Sequence, residues 1–324
     1  MNLSTTSSPH VKGKNSTSRI MRDVVIALLP ALIVGVVVFG LRALMVTLVS
    51  IAACLVAEAL VNAVFRRPGT LRDGSAVVTG MLLAMTLPAT VELWIPAVGG
   101  FFAMIVVKGL FGGLGQNIFN PALAARAFLL LLWPAQMVRY AALGETLPVF
   151  SSAADVVTSA TPLHHMQMPA LPETSFLHMF LGNMAGSIGE ISALAILVGG
   201  IYLMVRKVIS VRIPVAYLGT VAVVTFVFSN GQPHLGWMLA NLLGGGVMLA
   251  AFFMATDYAT SPVTPVGQVV YGIGCGLLTV LFRRFGLFPE GVTYAILLMN
   301  AAVWLIDKVT VPRRFGTVKG GAAQ

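Results

Sequence analysis

Between Ala154 and Pro162 the chain reads Asp155-Val-Val-Thr158-Ser159-Ala160-Thr161, a hydroxyl-rich stretch led by an acid. A phosphoester to threonine needs an exposed hydroxyl, small neighbours that let a transferase reach the backbone, and polar groups that orient the donor. Thr161, following Ser159 and Ala160 and lying six residues after Asp155, offers all three. Pro162 disfavours helical geometry at Thr161. Taken without its surroundings, the same stretch is also an ordinary solvated turn.

Other groups have chemical potential of a different kind. Glu58, with Asn62 one turn later, Arg126 and Glu190 fall in or at the start of apolar runs. A charge at mid-bilayer depth costs about 2.5–3.5 kcal/mol even on the gentlest insertion scale, so each needs a partner or a wet cavity. Glu58 with Arg126 is the expected pair, serving either ion movement or a plain interhelical salt bridge. The run Lys108-Gly-Leu-Phe-Gly-Gly-Leu-Gly-Gln-Asn-Ile-Phe-Asn-Pro121 places four glycines and two asparagines beside a lysine. Freed amides there suit a polar ligand, and a helix-packing turn is the alternative. Asp73, before Gly-Ser-Ala, reads as a helix cap, and Met254-Ala-Thr-Asp257-Tyr-Ala-Thr-Ser-Pro262 repeats the theme of an acid followed by small residues. His164 and His165 are adjacent, His178 and His234 stand apart, and no cysteine is near them, so no metal site is expected. Cys54 and Cys275 lie in separate apolar runs and read as packed thiols.

The elements that must position these groups are membrane helices. Hydrophobic residues make up 57% of the chain and charged ones 10%, and mean hydropathy is +0.91, which places the chain among polytopic membrane proteins. Spans are expected near 23–40, 42–64, 75–90, 93–112, 119–138, 188–206, 211–229, 235–255, 266–284 and 289–307, about ten in all, each near the length that crosses about 30 Å of hydrocarbon. The third is short and ends at Pro88, and 175–187 reads as an interfacial or re-entrant piece. The 20 Lys and Arg against 11 Asp and Glu give a net charge of +9. These bases flank apolar spans without aromatic interleaving, which argues for a lipid surface and against nucleic acid. With the N-terminus inside, one face collects the tail bases with Arg66, Arg67, Arg72, Arg206, Lys207, Arg212, Lys308, Arg313, Arg314 and Lys319, and the other only Arg42, Arg139, Arg283 and Arg284. Both termini are therefore expected in the cytoplasm, with the Arg283-Arg284 pair as the one contradiction. The expected organisation is a disordered basic tail over 1–22 without a cleaved signal, a first group of five spans over 23–138, an outward loop over 139–187, a second group over 188–308 and a cytoplasmic tail over 309–324. Five spans per half would make the halves inverted repeats, a relation for which the Gly-rich breaks at Phe111–Gly115 and Gly244–Gly246 are the sequence support.

Ordered blocks make a family resemblance specific: Asp73-Gly-Ser-Ala, Thr79-Gly-Met-Leu-Leu-Ala, Leu87-Pro88, Lys108 through Asn120-Pro-Ala122, Asp155 to Thr161, Phe253-Met-Ala-Thr-Asp257, Thr260-Ser-Pro262, Gly267-Gln268 and Tyr271-Gly272. Over nearly its whole length after the tail, the chain resembles the RnfD component of the Rnf (Rsx) ion-translocating electron transport complex. That component is related to the NqrB component of the sodium-translocating NADH:quinone reductase, and the short tail here favours the Rnf side. The resemblance implies that Thr161 carries FMN through its phosphate on the periplasmic side of a bacterial inner membrane, within a motif formed by Asp155, Thr158, Ser159 and Ala160. Ser159 stands where relatives often have glycine. It further implies two inverted five-helix repeats resembling urea transporters, a noncovalent riboflavin, and partners among the A, B, C, E and G components of the complex, including an outer flavoprotein and a cytoplasmic component that handles NADH. Electrons would pass between NADH and ferredoxin with coupled movement of Na+ or H+. The competing classes are a passive small-solute channel on the same scaffold and a cofactor-free anchor. Fold alone does not separate them; a flavin on Thr161 does.

Overall fold

The structure is a computed structural model that describes residues 16–66, 70–145, 147–150, 157–163, 170–172, 174–229, 231–286 and 291–311. Asp155, His164 and His165 lie outside the described residues. The described chain is helical, apart from one isolated antiparallel bridge between Ala141 and Thr158. In chain order the helices are α1 (Thr17–Phe39), α2 (Leu41–Val64), a 3-10 turn (Leu71–Asp73), α3 (Ser75–Met85), α4 (Trp94–Phe101), which continues as a π-helical stretch (Phe102–Gly109), α5 (Pro121–Leu132) and α6 (Pro134–Met137). There follow α7 (Phe176–Leu181), α8 (Ala193–Val205), α9 (Arg212–Val227), α10 (His234–Leu243), α11 (Val247–Leu249), which runs into a second π stretch (Ala250–Met254), α12 (Pro265–Phe285) and α13 (Val292–Thr310).

Each of the ten expected intervals holds a helix. Among the described residues, α1, α2, α12 and α13 are each long and apolar enough to cross a membrane alone, and α10 with α11 and its π continuation makes a fifth when the pair, bent by 64°, is taken together. The others are shorter apolar helices. Several boundaries differ from expectation, and three of the differences show their cause. α1 begins at Thr17 rather than 23, because Ser16 caps it by accepting from the Arg19 amide. α3 stops at Met85 rather than 90, since Pro88 constrains Leu87. α8 begins at Ala193 rather than 188, and the segment ahead of it, with Ser187, Ile188, Glu190 and Ser192 all buried, is not helical.

The last two differences have one cause. The amide of Ile188 donates to Leu87 O at 3.0 Å and that of Gly189 to Met85 O at 2.8 Å. Carbonyls left over where α3 ends thus meet amides left over ahead of α8, as apolar surroundings require.

α2 packs on α3 and α4, and α9 on α10 and α12, while α1 against α8 and α5 against α13 join the two groups. The α1–α8 crossing depends on small residues: a Cβ on Gly199 would lie 2.0 Å from Ala27 O. Alanine in place of glycine gains about 1 kcal/mol of helix propensity, but a clash with backbone costs about 1–3 kcal/mol and cannot be relieved by a rotamer change. Gly199→Ala is therefore expected to lower the thermal unfolding temperature of the detergent-purified chain, and an unchanged value would contradict this close crossing.

Candidate functional site

At one end of the bundle the π stretch after α4 delivers Lys108 into the interior, where it is 5% exposed. Its Nζ lies 2.6 Å from Glu58 Oε1 and 2.6 Å from Ser75 Oγ. Glu58 is thus paired with Lys108 and not with Arg126, the partner expected from the sequence. Two apolar helices carrying charges at similar depth do not reveal which faces they share. The network extends further: Thr70 donates to Glu58 Oε1 at 2.8 Å, Asn62 Nδ2 to Thr70 Oγ1 at 3.1 Å, and the Ser75 amide and hydroxyl to Asp73 Oδ1 at 2.8 and 2.6 Å. Asp73 stands one residue ahead of the N-cap, Gly74, and satisfies the first amide of α3 from there. Glu58 Oε2 is buried and has no hydrogen-bond partner among the described residues. Glu58, Asn62, Thr70 and Lys108 border an open cavity of about 270 Å³ with Gly109, Gly112 and Gly113. Removing one partner of such a buried pair costs about 3–5 kcal/mol, since the other charge is left uncompensated.

Lys108 also lines a second, tighter cavity, whose enclosed space is about 80 Å³. Here the two polar runs singled out in the sequence come together. Asn117 and Asn120 from one, and Thr256, Asp257 and Tyr258 from the other, face Ser75, Thr79, Phe252 and Phe253. Asn120 holds its place by capping α5 through Ala122 and Leu123 amides and by donating to Met254 O at 3.3 Å. Burial pushes the Asp257 carboxyl up from its ordinary range, against hydrogen bonds from Thr260 and the Ala259 backbone.

From this end a polar stripe runs along one buried face of α12. Tyr271, Cys275, Thr279 and Arg283 recur every four residues, which spaces the first and last by about 18 Å along the axis. Tyr271 meets Asn300 at 2.7 Å, Asn300 bridges to the Asn120 amide and Thr260 carbonyl, and Tyr217 on α9 bonds Thr279 at 2.7 Å.

The far end of the stripe is where the Thr158–Thr161 segment lies. Thr158 bridges to Ala141, with the Ser159 amide donating to Tyr140 O and the Ala142 amide to Val157 O, both at 3.0 Å. Thr158, Ser159 and Ala160 are exposed, whereas Thr161 is 6% exposed. The open hydroxyl expected from the sequence is therefore tucked in, because Leu163 two residues on is anchored among Trp237, Ala240, Leu171 and Phe176. Among the described residues no hydrogen bond engages the Thr161 hydroxyl. Beyond it lies a charged cluster that hydropathy did not assemble: Arg126 hydrogen-bonds Tyr140, and Glu190 acts on both Tyr140 and Arg283. Arg283 donates to Asn241 O at 2.6 Å and Gly244 O at 2.8 Å, closing the carbonyls at the end of α10. Arg42 is likewise buried, donating to the carbonyls of Val91, Pro148 and Val149. Two of the four bases assigned outside are thus buried clamps. Arg284, by contrast, rests over the rings of Phe228 and Phe285.

The family model described as NQR2, RnfD, RnfE family matches residues 4–316. The chain belongs to this family. Among relatives of this NQR2, RnfD, RnfE family member, the D component of the Na(+)-translocating ferredoxin:NAD(+) oxidoreductase complex of Acetobacterium woodii is 48% identical, over 98% of this chain and 97% of the relative. The D component of the proton-translocating ferredoxin:NAD(+) oxidoreductase complex of Clostridium ljungdahlii is 44% identical, over 96% and 95%. The D component of an ion-translocating oxidoreductase complex of Halorhodospira halophila is 40% identical, over 97% and 96%.

Asp257 gives the family fold a pH signature. Its carboxyl is raised above the unfolded value of 3.8, so the folded state binds the proton more tightly. The cost of burying the charge is absent below the unfolded value, grows as pH rises through the interval up to the folded value, and is complete above it. Asp257→Asn is therefore expected to raise the unfolding temperature relative to the native chain more at pH 7 than at pH 4. An equal difference at both pH values would show that Asp257 is not destabilised as a buried carboxylate.

Proposed function

We propose that this chain is the membrane-embedded D component of a redox-driven ion-translocating ferredoxin:NAD+ oxidoreductase complex and relays electrons through FMN esterified to Thr161. The carrying observation is the Thr158–Thr161 segment, pinned by backbone bonds to Tyr140 and Ala142 and running in beside a cluster with two arginines. The residues fit a phosphate-linked flavin: the Thr161 hydroxyl is not engaged in a structural hydrogen bond among the described residues, the buried Arg283 approaches the same glycine as Leu163 two residues beyond Thr161, and Gly244–Gly246 leaves backbone without side-chain bulk. FMN, when bound, supplies one-electron chemistry. The chain holds its phosphate at Thr161, fixes the approach of the segment through Thr158, Ser159 and Ala160, and excludes water through the Leu163 anchor. Asp155 completes the motif by sequence. Since Thr161 is tucked in, attachment occurs while the segment stands open.

The cavity shared by Lys108, Asn117, Asn120 and Asp257 carries polar groups suited to the hydroxyls of a noncovalent riboflavin and Phe252 and Phe253 suited to its ring, but its enclosed space of about 80 Å³ would have to widen to admit one. The Thr161 end faces the periplasm of an inner membrane and the Lys108 end the cytoplasm, as the distribution of bases supports. Pairing of α1 with α8 and α5 with α13 supports two inverted repeats. The A, B, C, E and G components of the complex supply and remove electrons. The buried Glu58–Lys108 pair, with one carboxylate oxygen unengaged beside a cavity, is the group we assign to the coupled movement of Na+ or H+.

Thr161→Ala, made with its attachment enzyme, should show no flavin fluorescence in the denatured band and no flavin mass on the peptide; a variant that keeps covalent flavin and full electron flow would sink the assignment. Glu58→Gln should lower ion movement per electron in the reconstituted complex more than it lowers flavin loading. Unchanged ion gradients in that variant would remove Glu58 from the coupling.

A further inference from the structure

The last turn of α12 places a guanidinium where a loop charge was expected. Arg283 is 8% exposed, and among the described residues it donates only to neutral oxygens, those of Asn241 and Gly244, while its Nε is buried without a partner. It stands close to the attachment segment. A Cβ on Gly245 would lie 2.9 Å from Arg283 Nη2 and equally 2.9 Å from Leu163 Cδ2, so the guanidinium and the anchor of the Thr161 segment approach the same glycine. Gly245, at φ +66°, makes that approach possible. Glu190 stands beside the next glycine: a Cβ on Gly246 would lie 3.2 Å from its Oε2, which is buried without a hydrogen bond among the described residues, while its Oε1 accepts from the Ser187 amide at 3.0 Å. Arg126 acts on Tyr140 alongside the same carboxylate.

Closing the end of α10 requires only donors to its carbonyls, which a neutral amide supplies at less desolvation cost than a buried cation. The charge itself therefore calls for a use. We propose that Arg283 sets the reduction potential of the flavin on Thr161, its positive charge stabilising the negative charge that arrives with each electron, and that Glu190 opposes it. The proposal rests on the Thr161 attachment described above. No bond in the chain is made or broken: one electron enters the flavin from its donor, and the guanidinium stays protonated throughout.

The test uses the full chain, made with its flavin-attaching enzyme and purified in detergent. Dithionite is the electron donor in a potentiometric titration followed by flavin absorbance, and fluorescence of the denatured band measures covalent flavin in the same samples. Arg283→Gln is expected to retain its flavin within about twofold of the native loading and to titrate at a more negative midpoint. Arg283→Lys, which keeps the charge, should lie between the two. Glu190→Gln removes the offsetting charge while leaving an oxygen for the Ser187 amide, and should titrate at a more positive midpoint. Because a purely structural role moves stability without giving shifts of opposite sign, the pair of signs decides. Flavin-loaded variants with unchanged midpoints overturn the role of Arg283 alone. Should Arg283→Gln not fold, Glu190→Gln and Arg283→Lys carry the same decision. A native chain of unmodified mass overturns the Thr161 attachment, and this proposal with it.

Discussion

A helix that ends inside an apolar layer leaves carbonyls with no water to bond, and this constraint organises the interior of the protein. α3 stops at Met85, and the carbonyls of Met85 and Leu87 are met by the amides of Gly189 and Ile188 from a non-helical stretch that has the complementary deficit. α10 stops at Leu243, and its last carbonyls are met by Arg283. Neither broken segment could exist without its counterpart. The joint between Met85 and Gly189 also brings Glu190 into the interior, on the residue immediately following the paired backbone. The backbone accounting and the buried charges are thus one arrangement.

Those charges are sorted between the two ends of α12. Near Tyr271 the interior charge includes the Glu58–Lys108 pair with the hydroxyls of Ser75 and Thr70, and the Asp257 carboxyl on the cavity that Lys108 also lines. Near Arg283, among the described residues, Arg126, Arg283 and Glu190 stand in one cluster. The stripe of Tyr271, Cys275 and Thr279 between them holds α12 against α9 and α13 through hydroxyl contacts at the depth where lipid offers none.

Much of this was legible in the sequence, and the misreadings have physical reasons. Hydropathy located a helix in every expected interval, since burial of apolar residues is what places them in the membrane. It overran the ends of α3 and α8 because the broken segments around Leu87 and Ile188 are themselves apolar, so nothing in composition marks where hydrogen bonding changes hands. The two polar runs at Lys108–Pro121 and Met254–Pro262 were recognised separately, but that they line one cavity is a matter of tertiary packing. The partner of Glu58 was misassigned for a related reason. Lys108 read as a residue beside a turn, whereas the π-helical stretch from Phe102 rotates it inward onto α2. Arg283 looked like an exception to the charge rule; once buried and bound to Asn241 and Gly244 it is not a loop charge at all.

Thr161 shows how the two levels bear on function. The motif predicts an accessible hydroxyl, and the structure tucks it in, with Leu163 fastened beneath Trp237. A transferase acts on a backbone it can surround, whereas a relay works best when its cofactor is held in one position and shielded from stray reactions. An open segment at the time of attachment and a docked one afterwards meets both needs. Among the described residues, the bridge between Ala141 and Thr158 and the Leu163 anchor hold the segment. On the proposed reading, few contacts among the described residues hold the loop that would carry the cofactor, and many hold the helices around it. That division follows from the same accounting of satisfied groups that fixed the helix ends.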